Sequence, residues 1–230
     1  MSVPTHLQIA IDGPAASGKT TVAHLLAQRL KILYLDTGAM YRTLAHLALQ
    51  SGTDADNEDA LVRLWEHAHV AIALDDAAPL GFRIAADGRE LDEATLHSKQ
   101  VTAIVSTIAA HPRVREAMVE SQRRIAQDGP VVMAGRDIGT VVLPFAPVKI
   151  FLTASVNARV ERRAAQLQAA GIDVSLHQLA REIEERDRLD RERAVSPLVA
   201  APDAHVIDSS AVDAAAVVAE IETIARGARR

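Results

Sequence analysis

Short apolar runs, each closed by a polar or glycine-rich turn, punctuate the chain, and amphipathic stretches fill the intervals between them. Five of these runs read as buried strands: about 7–12, 32–36, 131–133, 148–152 and 205–208. Near-continuous apolar composition, rather than strict alternation, is the pattern of strands covered on both faces of a parallel sheet. Between them a 3.6-residue period predicts helices at about 18–30, 37–50, 61–67, 98–110, 113–127, 157–170 and 175–193, and a last one from near Asp213. Thr37 is placed to cap the second helix, and Gly171 to stop the one that ends at Ala170. From Val70 to Glu93 the rhythm changes to alternation broken by turn signals, which predicts a small antiparallel β insertion. The expected architecture is an α/β three-layer fold. Its five-stranded, mostly parallel sheet carries helices on both faces, and ligands are expected at the carboxyl ends of the strands.

The most specific stretch joins the first strand to the first helix: Gly13, Pro14, Ala15, Ala16, Ser17, Gly18, Lys19 and Thr20, followed by Thr21. Strand, glycine-bounded turn and helix are the context in which G-x-x-x-x-G-K-[ST] becomes a phosphate-binding loop (P-loop). Glycine permits backbone angles and close approaches that a Cβ would block. The loop amides converge on an anion at the positive end of the helix. Lys19 adds a charge for β- and γ-phosphates, and the Thr20 hydroxyl suits Mg²⁺.

Composition narrows the picture. At 230 residues, with 49% apolar and 3% aromatic positions, the chain suits a single domain (1–230) with an aliphatic core. There is no cysteine, which removes disulfides, thiolate zinc sites and cysteine nucleophiles together. The start has no secretory pattern and no run is long enough to span a bilayer, so a soluble, cytoplasmic protein is expected. A net charge of −5 argues against a broad nucleic-acid surface and leaves room for a local basic pocket.

Several polar groups cluster at predicted strand ends. Asp36 can hold Mg²⁺, directly or through water, or can simply cap the helix opening at Thr37. Tyr41 and Arg42 follow close behind. Arg113 and Arg115 sit at a helix start, where cations oppose the macrodipole unless they serve something anionic. Arg136 and Asp137 occupy a glycine-bracketed turn after a strand, so a ligand role competes with a structural ion pair. Arg186, Arg188, Arg191 and Arg193 alternate with acids, among them Asp190. That run is either a solvated helix laced with i,i+4 pairs or a mobile arginine-rich segment. Arginine offers planar, permanent donors to phosphate oxygens, and phosphoryl transfer is catalysed mainly by positioned cations. On residues alone the chain reads as a phosphotransferase with an unidentified acceptor. A small-molecule kinase stays open; a nucleotide switch would show a guanine-reading N-K-x-D motif, which is absent.

Taken in order, these motifs resemble the bacterial cytidylate kinases, a family of P-loop nucleoside monophosphate kinases, from about Ile9 to Ser210. The carrying segments are 11–19, 35–42, 112–116, 135–142, 148–152 and 185–193, the last leading to Pro197-Leu198. The resemblance implies transfer of the ATP γ-phosphoryl group to CMP or dCMP, with ATP and Mg²⁺ as donor and cofactor. It implies that Gly13 to Thr21 hold ATP, with Thr20 and Asp36 at the metal. Thr37, Tyr41 and Arg42 fall on the acceptor side, while Ser106, Arg115 and Asp137 match positions that read cytosine. Arg136 matches an arginine on the acceptor phosphate, and Arg186 and Asp190 match residues near the ribose hydroxyls. Lys19, Arg136, Arg188, Arg191 and Arg193 are implied as catalytic. An acceptor-binding β insertion is expected at about 60–97 and an arginine-rich lid at about 158–194. The partners implied are nucleotides alone, without nucleic acid or membrane, and the expected state is a monomer. The resemblance departs at Ala134, where an acidic residue is expected, and at Leu189, which interrupts the arginine run.

Overall fold

The structure, a computed structural model, describes residues 7–75, 78, 81–169 and 171–228. The expected helix end at Ala170 and the chain start lie outside the described residues. The strands are β1 (Gln8–Asp12), β2 (Leu33–Asp36), β3 (Val70–Leu74), β4 (Phe82–Ala86), β5 (Arg89–Leu91), β6 (Val131–Gly135), β7 (Val148–Thr153) and β8 (His205–Asp208). Five of them form one sheet in the order β2-β6-β1-β7-β8, and β3-β4-β5 form a second. Around them stand α1 (Lys19–Leu30), α2 (Thr37–Ser51), α3 (Glu58–His67), α4 (Glu93–Leu96), α5 (Lys99–Ala110), α6 (Pro112–Gln127), α7 (Val156–Ala169), α8 (Leu176–Glu192) and α9 (Ala214–Gly227). This is the expected α/β architecture with its antiparallel insertion. Among the described residues, no helix is long and apolar enough to cross a membrane. These residues fall into two compact units, one of residue 7 and 27–133, the other of 8–26 and 134–228.

In the first unit, side-chain oxygens set the helix starts. Asn57, Asp92 and Ser98 accept from the amides of Ala60, Thr95 and Val101, satisfying donors that the first helical turn cannot. At α2 the cap is Asp36 and not Thr37: the Asp36 carboxylate accepts from Gly38 N at 2.9 Å, and Thr37 is already the first helical residue. Extended backbone at Asp36 (φ −82°, ψ 104°) is what places its oxygen over the helix end. The antiparallel sheet turns at Asp87-Gly88, both at positive φ (50° and 76°), between the paired residues Ala86 and Arg89. A two-residue loop with both residues left-handed matches the right-handed twist of the strands it joins. Tyr34 packs edge-on against Phe82, ring centroids 5.7 Å apart.

In the second unit, β1 pairs in parallel with β7, and β7 with β8. β1 is buried from Ile9 to Asp12, and its carboxyl end delivers the phosphate loop to α1. A feature absent from the sequence reading follows β6: Ile138–Val142 forms a single π-helical turn. It is closed by Val142 N to Asp137 O (3.1 Å) and Leu143 N to Ile138 O (2.7 Å). α7 and α8 share an aliphatic contact of Val160, Ala164, Leu179 and Ile183.

Candidate active site

The phosphate loop owes its shape to its neighbours. Gly13 lies so close to β7 that a Cβ there would stand 2.0 Å from the Leu152 carbonyl oxygen, a main-chain atom that cannot yield. Ala16 (φ 58°) and Gly18 (φ 91°) also take positive φ. Such reversals turn successive N–H groups toward one concave side, the geometry of an anion nest. The outward carbonyls are held by two arginines of α7: Arg159 donates to Ala15 O (3.2 Å) and Arg162 to Ser17 O (3.4 Å). Ser209 Oγ also donates to Ser17 O, at 3.0 Å. Lys19 is buried in the first turn of α1, and its Nζ donates to Pro14 O at 2.6 Å. Thr20 and Thr21 follow it on the exposed face.

Beside the loop in the same unit, β6 leads into Arg136 and Asp137. Arg136 Nε donates to Asp190 Oδ2 at 2.7 Å, and Arg193 Nη1 stands 3.7 Å from Asp190 Oδ1. Three of the expected residues are therefore brought together. Burial works against the Asp190 charge. The guanidiniums of Arg136, Arg186 and Arg193 outweigh it and hold the carboxyl below its ordinary value. The other α8 arginines divide. Arg188 is exposed and paired along the helix with Glu185 and Glu192, and hydrogen bonding to Glu185 first, then Glu192, raises its pKa. That is the solvated arrangement of ion pairs within one helix, one at i,i+3 and one at i,i+4. Arg186 and Arg191 are exposed, and Arg191 lines a cavity of about 290 Å³ with Arg159 and Asp187.

The first unit holds the acceptor-side candidates. Thr37 and Tyr41 are buried, and the Arg115 guanidinium lies 5.6 Å above the Tyr41 ring. Arg115 is itself only 3% exposed and donates to Ala109 O. A cation over an aromatic face is attracted by the ring quadrupole, so the pair fixes both side chains. Arg42 donates to Leu96 O and Thr102 Oγ1, both at 3.3 Å. Thr102 lies one helical turn before Ser106, which is exposed on α5. Arg113 takes a different course. The anions that answer its place at a helix start are the protein's own, Asp59 on its guanidinium and Glu58 on its backbone N–H.

The metal candidates are oxygen donors only, a hydroxyl on Thr20 and a carboxylate on Asp36 with one oxygen engaged by Gly38 N. Among the described residues, no three His, Cys, Asp or Glu side chains gather into a cage. A hard cation that keeps its waters and is carried on phosphates needs one or two such donors, and each of these residues is by its chemistry a donor that magnesium accepts.

Two residues, Asp12 and Asp187, were missed in the sequence. Asp12 is buried at the end of β1, and its two oxygens accept from Ile138 N (2.8 Å) and Gly139 N (2.7 Å). Burial, helped by the nearby Asp137 charge, pushes the Asp12 carboxyl up to about 6 against the pull of those amides and of Lys19. Arg159 and Asp187, each 3–4% exposed, form an ion pair at 2.6 Å. The available signal for Asp12 was an acid closing an apolar run, directly before the first loop glycine.

The solved structure of an uncharacterized protein from Eubacterium ventriosum superposes with a TM-score of 0.55. It is 12% identical and covers 96% of this chain and 98% of its own, which is a likeness of fold. The bifunctional pantoate ligase/cytidylate kinase of Synechococcus sp. (strain JA-3-3Ab) is 49% identical over 209 residues, 91% of this chain. The chain spans 38% of that relative's length. The cytidylate kinase of Enterococcus faecalis is 49% identical over 218 residues, 95% of each protein. The family model for cytidylate kinase matches residues 9–227, nearly every position described above, and the chain belongs to the cytidylate kinase family.

Proposed function

We propose that the protein transfers the γ-phosphoryl group of ATP to CMP or dCMP, giving the diphosphate and ADP. The observation that carries this reading is the shaped phosphate loop, with Lys19 buried at its end, in a chain of the cytidylate kinase family. The attacking group is already an anionic phosphate oxygen, so positioning and charge neutralisation supply the catalysis and no strong base is required. Gly13 to Thr21 cradle the donor, and Lys19 meets its terminal phosphates. Thr20 and Asp36 would hold magnesium, which neutralises phosphate charge when bound. Arg42 and Arg136 take the acceptor phosphate, and Arg188, Arg191 and Arg193 the charge that develops during transfer. Ser106, Arg115 and Asp137 read cytosine, with Thr37 and Tyr41 beside the acceptor. Arg186 and Asp190 serve the ribose hydroxyls.

The Arg136–Asp190–Arg193 cluster supports the acceptor roles, because a planar cation held by a carboxylate is oriented before ligand arrives. The pairing of Arg188 with Glu185 and Glu192 means that it must exchange those carboxylates for phosphate oxygens during the reaction. The reading includes an acceptor-binding insertion at about 60–97, a lid at about 158–194 and a monomeric, cytoplasmic enzyme of one domain. A coupled ADP-release assay across CMP, dCMP, UMP, AMP and shikimate tests it. CMP and dCMP should be the preferred acceptors. Preferred turnover of shikimate, or slow ATP hydrolysis indifferent to every acceptor, would refute it.

A further inference from the structure

The turn that carries Arg136 and Asp137 is capped from a distance. The first helical amides of a turn ordinarily find their acceptor in the N-cap side chain. At Ile138–Val142 the N-cap is Asp137, and its side chain makes no capping bond. Both leading amides instead donate to Asp12, 126 and 127 residues earlier in the chain and adjacent to Gly13 of the phosphate loop. The contact leaves little room. A Cβ on Gly139 would come 3.4 Å from Asp12 Oδ2 and 3.3 Å from Lys149 Cδ, so a side chain there would touch the carboxylate and ask the Lys149 chain to give by a few tenths of an ångström. Lys149 is immobilised in turn, its Nζ bonded to Pro144 O and to both oxygens of Asp203. The π-helical turn is thus braced from β1 on one side and β7 on the other.

We infer that Asp12 is a positioning residue for the acceptor-reading turn: by capping Ile138 and Gly139 in place of Asp137, it keeps the Asp137 carboxylate out of local capping and fixes Arg136-Asp137 to the strand that ends in the phosphate loop. The inference rests on the nucleotide kinase reading for what the turn does, though not for the contact itself. The charged groups acting on Asp12 are Lys19, which favours its carboxylate, and Asp137, which opposes it. Protonating a carboxylate oxygen that already accepts an amide N–H weakens that bond. Acidification through the Asp12 titration, near pH 6, should therefore loosen the turn.

The test uses the full chain as wild type, Asp12→Asn and Asp12→Glu. In wild type the amide proton resonances of Ile138 and Gly139 should titrate together with a midpoint near 6; in Asp12→Asn they should be shifted and flat. In the kinase assay Asp12→Asn should raise KM for CMP at least tenfold and change the dissociation constant of ATP less than threefold. Asp12→Glu, which keeps two acceptor oxygens, should recover part of the CMP loss and serves as well if the Asn variant folds poorly. Amides that do not titrate in wild type, or CMP and ATP affinities that fall equally in the variants, would overturn the positioning role. Wild type that titrates as expected but phosphorylates neither CMP nor dCMP would instead refute the kinase reading and leave the capping contact standing.

Discussion

Asp12 also makes a prediction about stability. In the folded chain its carboxyl is pushed from 3.8 up to about 6, mainly by burial. Between those values the folded state binds more protons than the unfolded state, so this contribution is full below about pH 4 and disappears as pH rises through 6. At about 1.36 kcal/mol for each pKa unit, the whole effect is about 3 kcal/mol. A group with these two values releases about 1.4 kcal/mol of it between pH 5 and pH 8, a range that avoids general acid unfolding. Asp12→Asn cannot titrate. Its amide keeps one acceptor but turns an N–H toward another N–H, a penalty that does not depend on pH. Plotted against pH, the stability of Asp12→Asn minus that of wild type should climb by about 1.4 kcal/mol from pH 5 to pH 8, whatever its absolute level. For a chain of this size that corresponds to about 3–5 °C in relative Tm. Urea unfolding at constant ionic strength measures it, since urea adds no charge. A difference that is flat across the range, or that falls with rising pH, would show that Asp12 is not a buried carboxylate held against its own desolvation.

Lys19→Ala should lower turnover by about 10²–10³-fold, the cost of one donor aimed at developing charge, with CMP affinity largely retained; near-normal turnover in the ADP-release assay would remove Lys19 from the mechanism. Asp137→Ala should reduce the preference for CMP over UMP by ~tenfold or more while ATP affinity holds. Competition kinetics with the two acceptors decide it, and an unchanged ratio counts against base reading by Asp137. Asp187→Ala should destabilise by about 3–5 kcal/mol because it strands the Arg159 cation, whereas Arg159→Met with Asp187→Leu should be close to neutral. A loss below ~1 kcal/mol in the single variant, read by urea unfolding, would mean that the pair is not a desolvated one.

What the sequence could disclose tracks how local each cause is. β8 at His205–Asp208 and the start of the last helix near Asp213 were legible because a short strand with an apolar centre and the onset of a helical period are written in adjacent positions. The antiparallel insertion was legible for the same reason, though the third run was read from Asp87, where the structure puts the Asp87-Gly88 turn before β5. Asp36 and Thr37 are adjacent residues that can both cap, and only the extended backbone at Asp36 decides between them. α4 spans four residues, too few to show a period. The π-helical turn has no local signature, because its leading amides are satisfied by Asp12 from the far end of the chain. The arginine-rich run was ambiguous for a physical reason. Arg188 finds its acids within its own helix, while Asp190 finds its cation in Arg136, 54 residues earlier.

The Arg159 guanidinium has two attachments of unequal strength. One is the Asp187 carboxylate, an ion pair shielded from water; the other is the Ala15 carbonyl, a neutral acceptor. Parting the first exposes two charges to a medium that solvates them poorly, whereas the second is exchanged with water for about 1 kcal/mol. The aliphatic contact of Val160, Ala164, Leu179 and Ile183 reinforces the stronger side. Mechanically, α7 and α8 are welded to each other and only clipped to the loop. If the proposed lid swings, the fault line runs along the Arg159–Ala15 and Arg162–Ser17 bonds and the two bonds from Arg162 to Ser209, and the two helices travel as one rigid plate. Each opening then unclips the outward carbonyls of the phosphate loop, so the stiffness of the donor cradle rises and falls with the position of the plate.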